Sequence, residues 1–396
     1  MSDVHVDRFD DGTRLRAITA AIASISVVGI GLSLSIPLLS LEMERMGVPS
    51  LWIGLNTAIA GVASILVVPF VPRLAARFGV ATLLWTAVLA AALTLLAFKL
   101  VPVFWLWFPI RFVFSAALGT LFVLSEFWIN AAAPPHRRGL VMGIYATVLA
   151  TGFTVGPGIL TLVGTSGWPP YAIGTALFLM ASIPLLAARG LTPDVEGHAR
   201  RSVMGYVVAA PIATMAALVF GAVETGSFAI LPVYGLRVGF DAETAALLVS
   251  LVAAGNVLLQ IPIGLLADRI DRRLILLVTA SAGALGAAAI PFTIGNTPLL
   301  YATLVIWGGL IGSLYTVGLA HLGARFGGAD LASANAAFVV LYNVGLVMGP
   351  PFVGYGLDAI PPHGFAWTLS AMFVAYVLLV LWRLLTSPAA SGSGRA

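Results

Sequence analysis

The chain has 396 residues, 60% of them apolar and 9% charged, with a mean hydropathy of +1.04, which excludes a soluble globular protein and points to a polytopic membrane protein. Its net charge of +4 is dispersed over short loops rather than gathered into a patch, so a nucleic-acid surface is excluded. It contains no cysteine, which excludes disulfides, thiolate metal sites and cysteine nucleophiles.

The first 14 residues are polar, and the apolar run after them is too long for a signal-peptide core, so the first helix is expected to stay in place. Hydropathy predicts spans at about 17–41, 51–71, 80–98, 104–129, 140–162 and 171–188, then at about 206–235, 244–265, 274–294, 299–321, 332–354 and 365–385. The stretch 189–202, RGLTPDVEGHARRS, is the one long polar interruption. It is expected to be a cytoplasmic linker joining a six-helix unit, 1–188, to a second one, 203–396. Twelve spans put both termini on one face. Taking that face as cytoplasmic leaves only Arg45, Lys99 and Arg237 outside and Arg111 within a span, so sixteen of the twenty Lys and Arg lie inside. The expected location is the inner (plasma) membrane. Trp52, Trp105, Trp107, Trp168 and Trp367 fall near span ends, where interfacial anchoring accounts for them.

The turn Gly264 to Arg273, GLLADRIDRR, separates spans 8 and 9. Gly264 permits close helix contact, Asp268 can offer a carboxylate to a neighbouring helix N-terminus, and Arg269, Arg272 and Arg273 hold the turn on the cytoplasmic side. Moving back 192 residues reaches Pro72 to Ala81, PRLAARFGVA, where Leu74, Ala75, Arg77 and Gly79 persist but Ala76 replaces the acid. Gly152-Phe-Thr-Val-Gly156-Pro157 likewise meets Gly345-Leu-Val-Met-Gly349-Pro350 at an offset of 193, so the chain is an internal repeat. Those glycines and prolines permit close packing and local bending where lipid supplies no hydrophobic drive between helices.

The turn resembles the cytoplasmic loop motif of the major facilitator superfamily, G-x-L-A-D-R-x-G-R-[RK], with Asp271 where that family carries Gly. GFTVGP resembles the superfamily motif associated with drug:proton antiporters. Arg111 falls where the span 4 motif R-x-x-x-G has its arginine, with Ser115 in place of Gly and Gly119 one turn later. The resemblance implies an all-α membrane protein of twelve transmembrane helices, in two pseudo-symmetric six-helix halves that rock about a central cavity. It also implies that Asp268 meets the start of span 5 near Gly139, that span 11 relies on its own Asp330, and that Glu126 joins Arg77 in a charge relay.

Positions where the halves differ sharply are the candidates for substrate work. Arg111, Glu126 and Glu224 stand against Leu304, Leu319 and Leu32 at the repeat offsets. A charge at mid-membrane costs at least about 2.5 to 3.5 kcal/mol, so it needs a partner, a proton or a wet cavity. Arg111 can modulate a carboxylate or bind an anion, or it can be satisfied structurally by carbonyls. It lies about 22 Å from Glu126 along one helix, too far to pair. Glu224 has Phe220 and Phe228 one turn to either side on one helix face, which fits a cavity wall; a carboxyl kept protonated in a dry helix contact fits as well. Asn256 and Gln260 in span 8, and Asn335 and Asn343 in span 11, suit interhelical hydrogen bonds or substrate contact equally.

No phosphate-binding loop is present, and His5, His136, His198, His321 and His363 are too scattered for a metal site, so no cofactor is expected and the chain is not expected to be an enzyme. The expected partners are a small-molecule substrate, protons and the bilayer, with the chain acting as a monomer. The leading expectation is proton-coupled export of a small apolar or cationic organic compound, with Glu224 and Arg111 coupling the proton. The rivals are uptake of an organic anion through Arg111 and a membrane sensor that keeps the fold without transporting.

Overall fold

The computed structural model describes residues 11–133, 138–187, 210–326 and 328–386. The expected linker 189–202, residues 206–209 of the seventh span, and His5, His136 and His198 lie outside them. Hydrocarbon offers no water to backbone groups, so each N–H and C=O has to be satisfied within its own segment. The described residues accordingly form helices joined by short turns, with no strand.

The helices are α1 (Asp11–Arg45), α2 (Ser50–Val67), α3 (Val71–Phe78), α4 (Val80–Leu100), α5 (Trp107–Ala132), α6 (Arg138–Val163), α7 (Pro169–Met180) and α8 (Ser182–Ala187). After the linker come α9 (Pro211–Arg237), α10 (Ala242–Ala267), α11 (Arg272–Thr293), α12 (Thr297–Arg325), α13 (Gly328–Ala359) and α14 (Gly364–Thr386). Ten helical stretches are long and apolar enough to cross a membrane, α6 holds a shorter one, Thr147–Val163, and the broken pair α7–α8 completes the twelve expected spans. Residues 187 and 210, which flank the linker, the α10–α11 turn and residues 11 and 386 share one end of the bundle, called the linker face; the opposite end is the distal face.

Prolines explain where helix ends depart from hydropathy. Span 2 ends as α-helix at Val67 rather than near 71, because Pro69 and Pro72 force a 3-10 turn, Val68–Phe70, before α3 resumes. Span 6 breaks at Ala181, where Pro184 has no N–H to give the Met180 carbonyl. Span 11 instead runs on through Pro350 and Pro351 to Ala359.

The internal repeat is a repeated helix contact. In the first half α1 lies along α6: a Cβ at Gly156 would strike Ser33 and the Ile30 carbonyl, and the Ser33 hydroxyl donates to the Gly152 carbonyl at 3.0 Å. In the second half α9 lies along α13 in the same manner, with Gly345 against the Leu218 carbonyl and Gly349 against that of Ala222. Gly152, Gly156 and Gly349 thus set packing inside each half. Pro157 sits within α6 beside this contact, and Pro350 within α13 turns its carbonyl toward Gly54 of α2 in the other half. The halves meet along α2 with α13 and α6 with α10, and a Cβ at Gly354 would likewise strike the Ser50 carbonyl. These are backbone-on-backbone crossings of the kind small residues allow in lipid.

Asp241 shows how a loop residue starts a helix at the distal face. Its carboxylate accepts from the Thr244 N–H at 2.7 Å and the Thr244 hydroxyl at 2.9 Å, and these bonds hold the carboxyl below the usual carboxylate range. Asp241→Ala should cost about 1 kcal/mol in thermal unfolding of the detergent-solubilised protein near neutral pH. Because the folded carboxyl titrates lower than the unfolded one, this contribution is complete above the unfolded range and fades as pH falls through the folded one. The gap between Asp241→Ala and wild type should therefore close in acid.

Candidate functional site

The site is built around α9, the most deeply buried span, with 83% of its apolar window inside the protein. Between Val219 and Gly235 every residue of α9 is buried except Glu224 and Thr225, which retain partial exposure. Glu224 lies thirteen residues from each end of α9, about 20 Å of helix either way. Its Oε2 accepts a hydrogen bond from the Tyr342 hydroxyl of α13 at 3.2 Å. Phe220 stacks on Tyr342 at 5.6 Å between ring centroids and meets Tyr315 of α12 at 5.2 Å, while Phe228 faces Phe153 of α6, across the two halves, at 6.4 Å. The stripe expected on α9 is thus one wall of an aromatic enclosure holding a single carboxylate. Tyr342, Tyr315 and Phe153 escape a search for unpaired charges. Extending the repeat comparison to hydroxyls would find Tyr342, which stands against Leu149 at the 193 offset.

Arg111 is not beside Glu224. It lies four residues into α5, near the distal face, 2% exposed, with Nη2 3.4 Å from the Thr57 hydroxyl of α2 and no partner for Nε or Nη1. Asn56, next to Thr57, is fully buried with neither amide atom partnered. The structure therefore separates the two groups expected to couple a proton, and each has its own polar neighbour.

The span 8 amides take the interhelical alternative, whereas Asn343 bonds within its own helix and Asn335 Oδ1 is buried without a partner. Asn256 packs against Gly312 of α12, Gln260 donates to the Thr316 hydroxyl at 3.1 Å, and Asn343 donates to the Val339 carbonyl of its own helix at 2.8 Å. The tryptophans at 52, 105, 168 and 367 are exposed, but Trp107 corrects the anchoring expectation: it is 1% exposed and donates to the Val101 carbonyl at 2.9 Å, pinning the α4–α5 connection.

The linker-face set is dispersed. Asp268 is 70% exposed and pairs with Arg272 of its own turn at 3.7 Å, while the start of span 5 near Gly139, its expected partner, lies at the edge of the described residues. Nothing crowds Gly264 more closely than a Thr316 methyl at 4.0 Å. Asp271, in the place of the family glycine, caps α11 by accepting from the Arg273 N–H at 2.8 Å. Arg269 lines a shallow pocket of about 340 Å³ with Asp268, Arg272 and His321. Arg77 lies over the neighbouring Phe78 ring at 5.3 Å rather than against Glu126, which accepts from the Tyr145 hydroxyl at 3.3 Å.

The distal face is closed by ion pairs that the sequence reading leaves as stray outer charges. Arg237, at the end of α9, grips Glu44 of α1 through Nε (2.9 Å) and Nη2 (3.2 Å), and reaches Asp358 of α13 at 3.0 Å. Asp358 also accepts from the Leu51 N–H at the start of α2 at 2.9 Å. Glu243 of α10 accepts from the Thr165 N–H and hydroxyl at 3.3 and 3.2 Å, and Thr165 is held in turn by Arg45. Among the described residues no ion pair joins the halves at the linker face. The ion pairs seen between the halves are thus gathered at the distal face.

Twelve spans in two repeated six-helix halves, meeting around a mid-membrane carboxylate and latched at one face, define a secondary transporter that works on a small molecule across a membrane. The sequence profile of the Major Facilitator Superfamily matches residues 21–245 and 213–396, and the chain belongs to that family; its members are transporters, not enzymes. It is 24% identical over 369 residues to the uncharacterized MFS-type transporter YfkF of Bacillus subtilis, covering 89% of this chain and 93% of that one. It is also 24% identical over 280 residues to the uncharacterized MFS-type transporter YcaD of Escherichia coli, covering 70% and 72%. Among solved structures, the fold is similar to a bacterial homolog of the human lysosomal transporter Spinster in an inward-facing, unoccupied conformation (TM-score 0.73, 15% identity, 96% and 100% covered). It is similar also to the nucleoside transporter NupG (TM-score 0.72, 15% identity, 94% and 98% covered).

Removing one arm of the distal latch should open it. Arg237→Gln leaves Glu44 and Asp358 without their shared cation, and because these groups are partly exposed the expected bias is on the order of 1 kcal/mol, about fivefold toward the distal-open state. A single cysteine placed at Val48 in this cysteine-free chain should react faster with a membrane-impermeant maleimide in Arg237→Gln than in the otherwise wild-type protein. Equal rates would show that the latch does not hold the distal face shut.

Proposed function

We propose that the protein is a proton-coupled exporter of a small apolar or cationic organic compound, acting as a monomer in the inner (plasma) membrane with its linker face toward the cytoplasm. The two rocking halves are residues 1–188 and 203–396, joined by 189–202. The observation that carries this reading is Glu224. It is an acid at the middle of the most buried helix, partly accessible, held by one tyrosine hydroxyl and walled by aromatic rings. In such surroundings a carboxylate is costly unless it carries a proton or meets a cation, and the two solutions exclude one another. Proton and substrate thus compete for one group, and alternating access turns that competition into exchange. Phe220 and Phe228 offer apolar and π surface to the organic part of the substrate, and a cation over such rings gains about 0.5 to 2 kcal/mol. Arg237, Glu44 and Asp358 form the distal gate, and Asp268 with Arg269 and Arg273 provides the linker-face gate that engages when the halves rock the other way.

A second reading is favoured by Arg111 alone. A buried guanidinium with two unpartnered nitrogens beside an unpartnered Asn56 suits an organic anion, which would make the protein an uptake system.

The two readings separate in proteoliposomes with an imposed pH gradient. Glu224→Gln should reduce pH-driven movement of an organic cation to the level of empty liposomes while the protein stays folded and monodisperse. Wild-type binding of that cation should weaken on acidification as the proton takes its place. Undiminished pH-driven transport by Glu224→Gln would sink the exchange reading, and loss of organic-anion uptake in Arg111→Gln would establish the second.

A further inference from the structure

The family resemblance gives Glu126 to a charge relay with Arg77; in the structure it also accepts from a tyrosine, and the acids and tyrosines of this region are ordered in depth. Glu126 lies six residues from the linker-face end of α5 and Tyr145 seven from the start of α6, each about 10 Å in at helical rise. Glu224 and Tyr342 lie thirteen and fourteen residues from the linker-face starts of α9 and α13, about 20 Å in. Tyr315, ten residues from the linker-face end of α12, falls between them at about 15 Å.

The contacts follow the same order. The Tyr145 hydroxyl donates to Glu126 Oε1 at 3.3 Å, and the Tyr342 hydroxyl donates to Glu224 Oε2 at 3.2 Å. The Tyr315 ring lies 5.9 Å from that of Tyr342, and its hydroxyl is within electrostatic reach of both carboxylates. Tyr145 thus partners Glu126, Tyr342 partners Glu224, and the Tyr315 ring lies against Tyr342. Glu126 is itself exposed at the surface of its helix while its neighbours Leu124, Ser125 and Trp128 are buried. Glu126 and Tyr145 belong to the first half, and Tyr315, Tyr342 and Glu224 to the second.

We propose that Glu126 is a second exchangeable carboxylate of the transport site, the linker-face station through which a proton or an organic cation passes to and from Glu224, with Tyr315 between the two. This rests on the reading of Glu224 as the exchanging acid. A proton leaving Glu224 goes to water or to the Tyr315 hydroxyl, which passes on its own hydrogen, and Glu126 takes it up and returns it to water at the linker face. Each hop breaks one O–H bond and forms another, and no electrons are transferred. An organic cation follows the same path from one carboxylate to the other along the faces of Tyr315, Phe220 and Tyr342. Because the stations sit on opposite halves, rocking changes their separation, and with it the influence each charge has on the other.

Infrared pH titration of the full-length reconstituted protein reads this without knowledge of the natural substrate. The carboxyl band lost in Glu224→Gln identifies Glu224. In Glu126→Gln the midpoint of that band should move by about one pH unit, the size expected for unit charges about 10 Å apart at an effective dielectric near 20. Glu126→Asp, which keeps the charge, should restore the wild-type midpoint and exclude a folding defect. Tetraphenylphosphonium binding should weaken several-fold in Glu126→Gln and lose part of its pH dependence. An unmoved Glu224 band together with wild-type tetraphenylphosphonium affinity in Glu126→Gln overturns the proposal and leaves the Glu224 reading intact. If instead Glu224→Gln removes no titrating band while Glu126→Gln removes one and weakens binding, Glu126 stands as an exchangeable acid and the Glu224 reading falls.

Discussion

The cost of leaving a charge unpartnered in hydrocarbon governs how the described ionisable groups within the bundle are placed. Outside the turns, each acid or base with a described neighbour resolves that cost differently. Arg237, Glu44 and Asp358 share charge at the distal face, Glu224 accepts a tyrosine hydroxyl at mid-depth, and Glu126 accepts one nearer the linker face. Arg111 is the least satisfied of them, with a single long bond to Thr57 and two nitrogens unpartnered. A buried group left partly unsatisfied is costly to maintain, which is why it carries the competing functional reading.

Close backbone contact sets the mechanical frame in which these charges operate. Lipid does not drive helices together as water does, so α1 meets α6, and α9 meets α13, through glycines whose missing side chains admit a neighbouring carbonyl. The same device recurs between the halves at the distal end, where Gly54 and Gly354 let α2 and α13 cross. There the ion pairs of Arg237 reinforce a contact already made by shape. At the linker face no equivalent pairing is present among the described residues, and Asp268 turns to Arg272. Charge pairs that can separate into water suit a latch better than an apolar seam would.

The family was legible in the chain because its signals are local. The number of spans follows from runs of apolar residues, and the repeat is written as glycines and prolines at constant offsets, which is where the structure places the equivalent contacts. The departures are also local in origin: Pro69, Pro72 and Pro184 break helices that hydropathy alone extends, because hydropathy scores side chains and not the missing proline N–H. Asp271 at a glycine position has its reason in the Arg273 N–H it caps.

The candidate site was legible only in part. Comparing the halves singled out Glu224, Glu126 and Arg111 from charge alone, since a charge facing a leucine in the repeat is visible without coordinates. Which groups surround each charge is a question of helix rotation and crossing, and these depend on contacts between residues more than a hundred positions apart. Only the tertiary structure brings Tyr342 to Glu224, Tyr145 to Glu126 and Thr57 to Arg111, keeps Arg111 away from Glu224, and joins Arg237 to Glu44 across the halves. By itself the sequence determined the membrane class, the twelve spans and the identity of the buried charges, because each follows from composition or from a fixed offset. The partners and the paired distal face were decided by packing, because a neutral tyrosine or a stray outer arginine acquires meaning only from what the fold sets beside it.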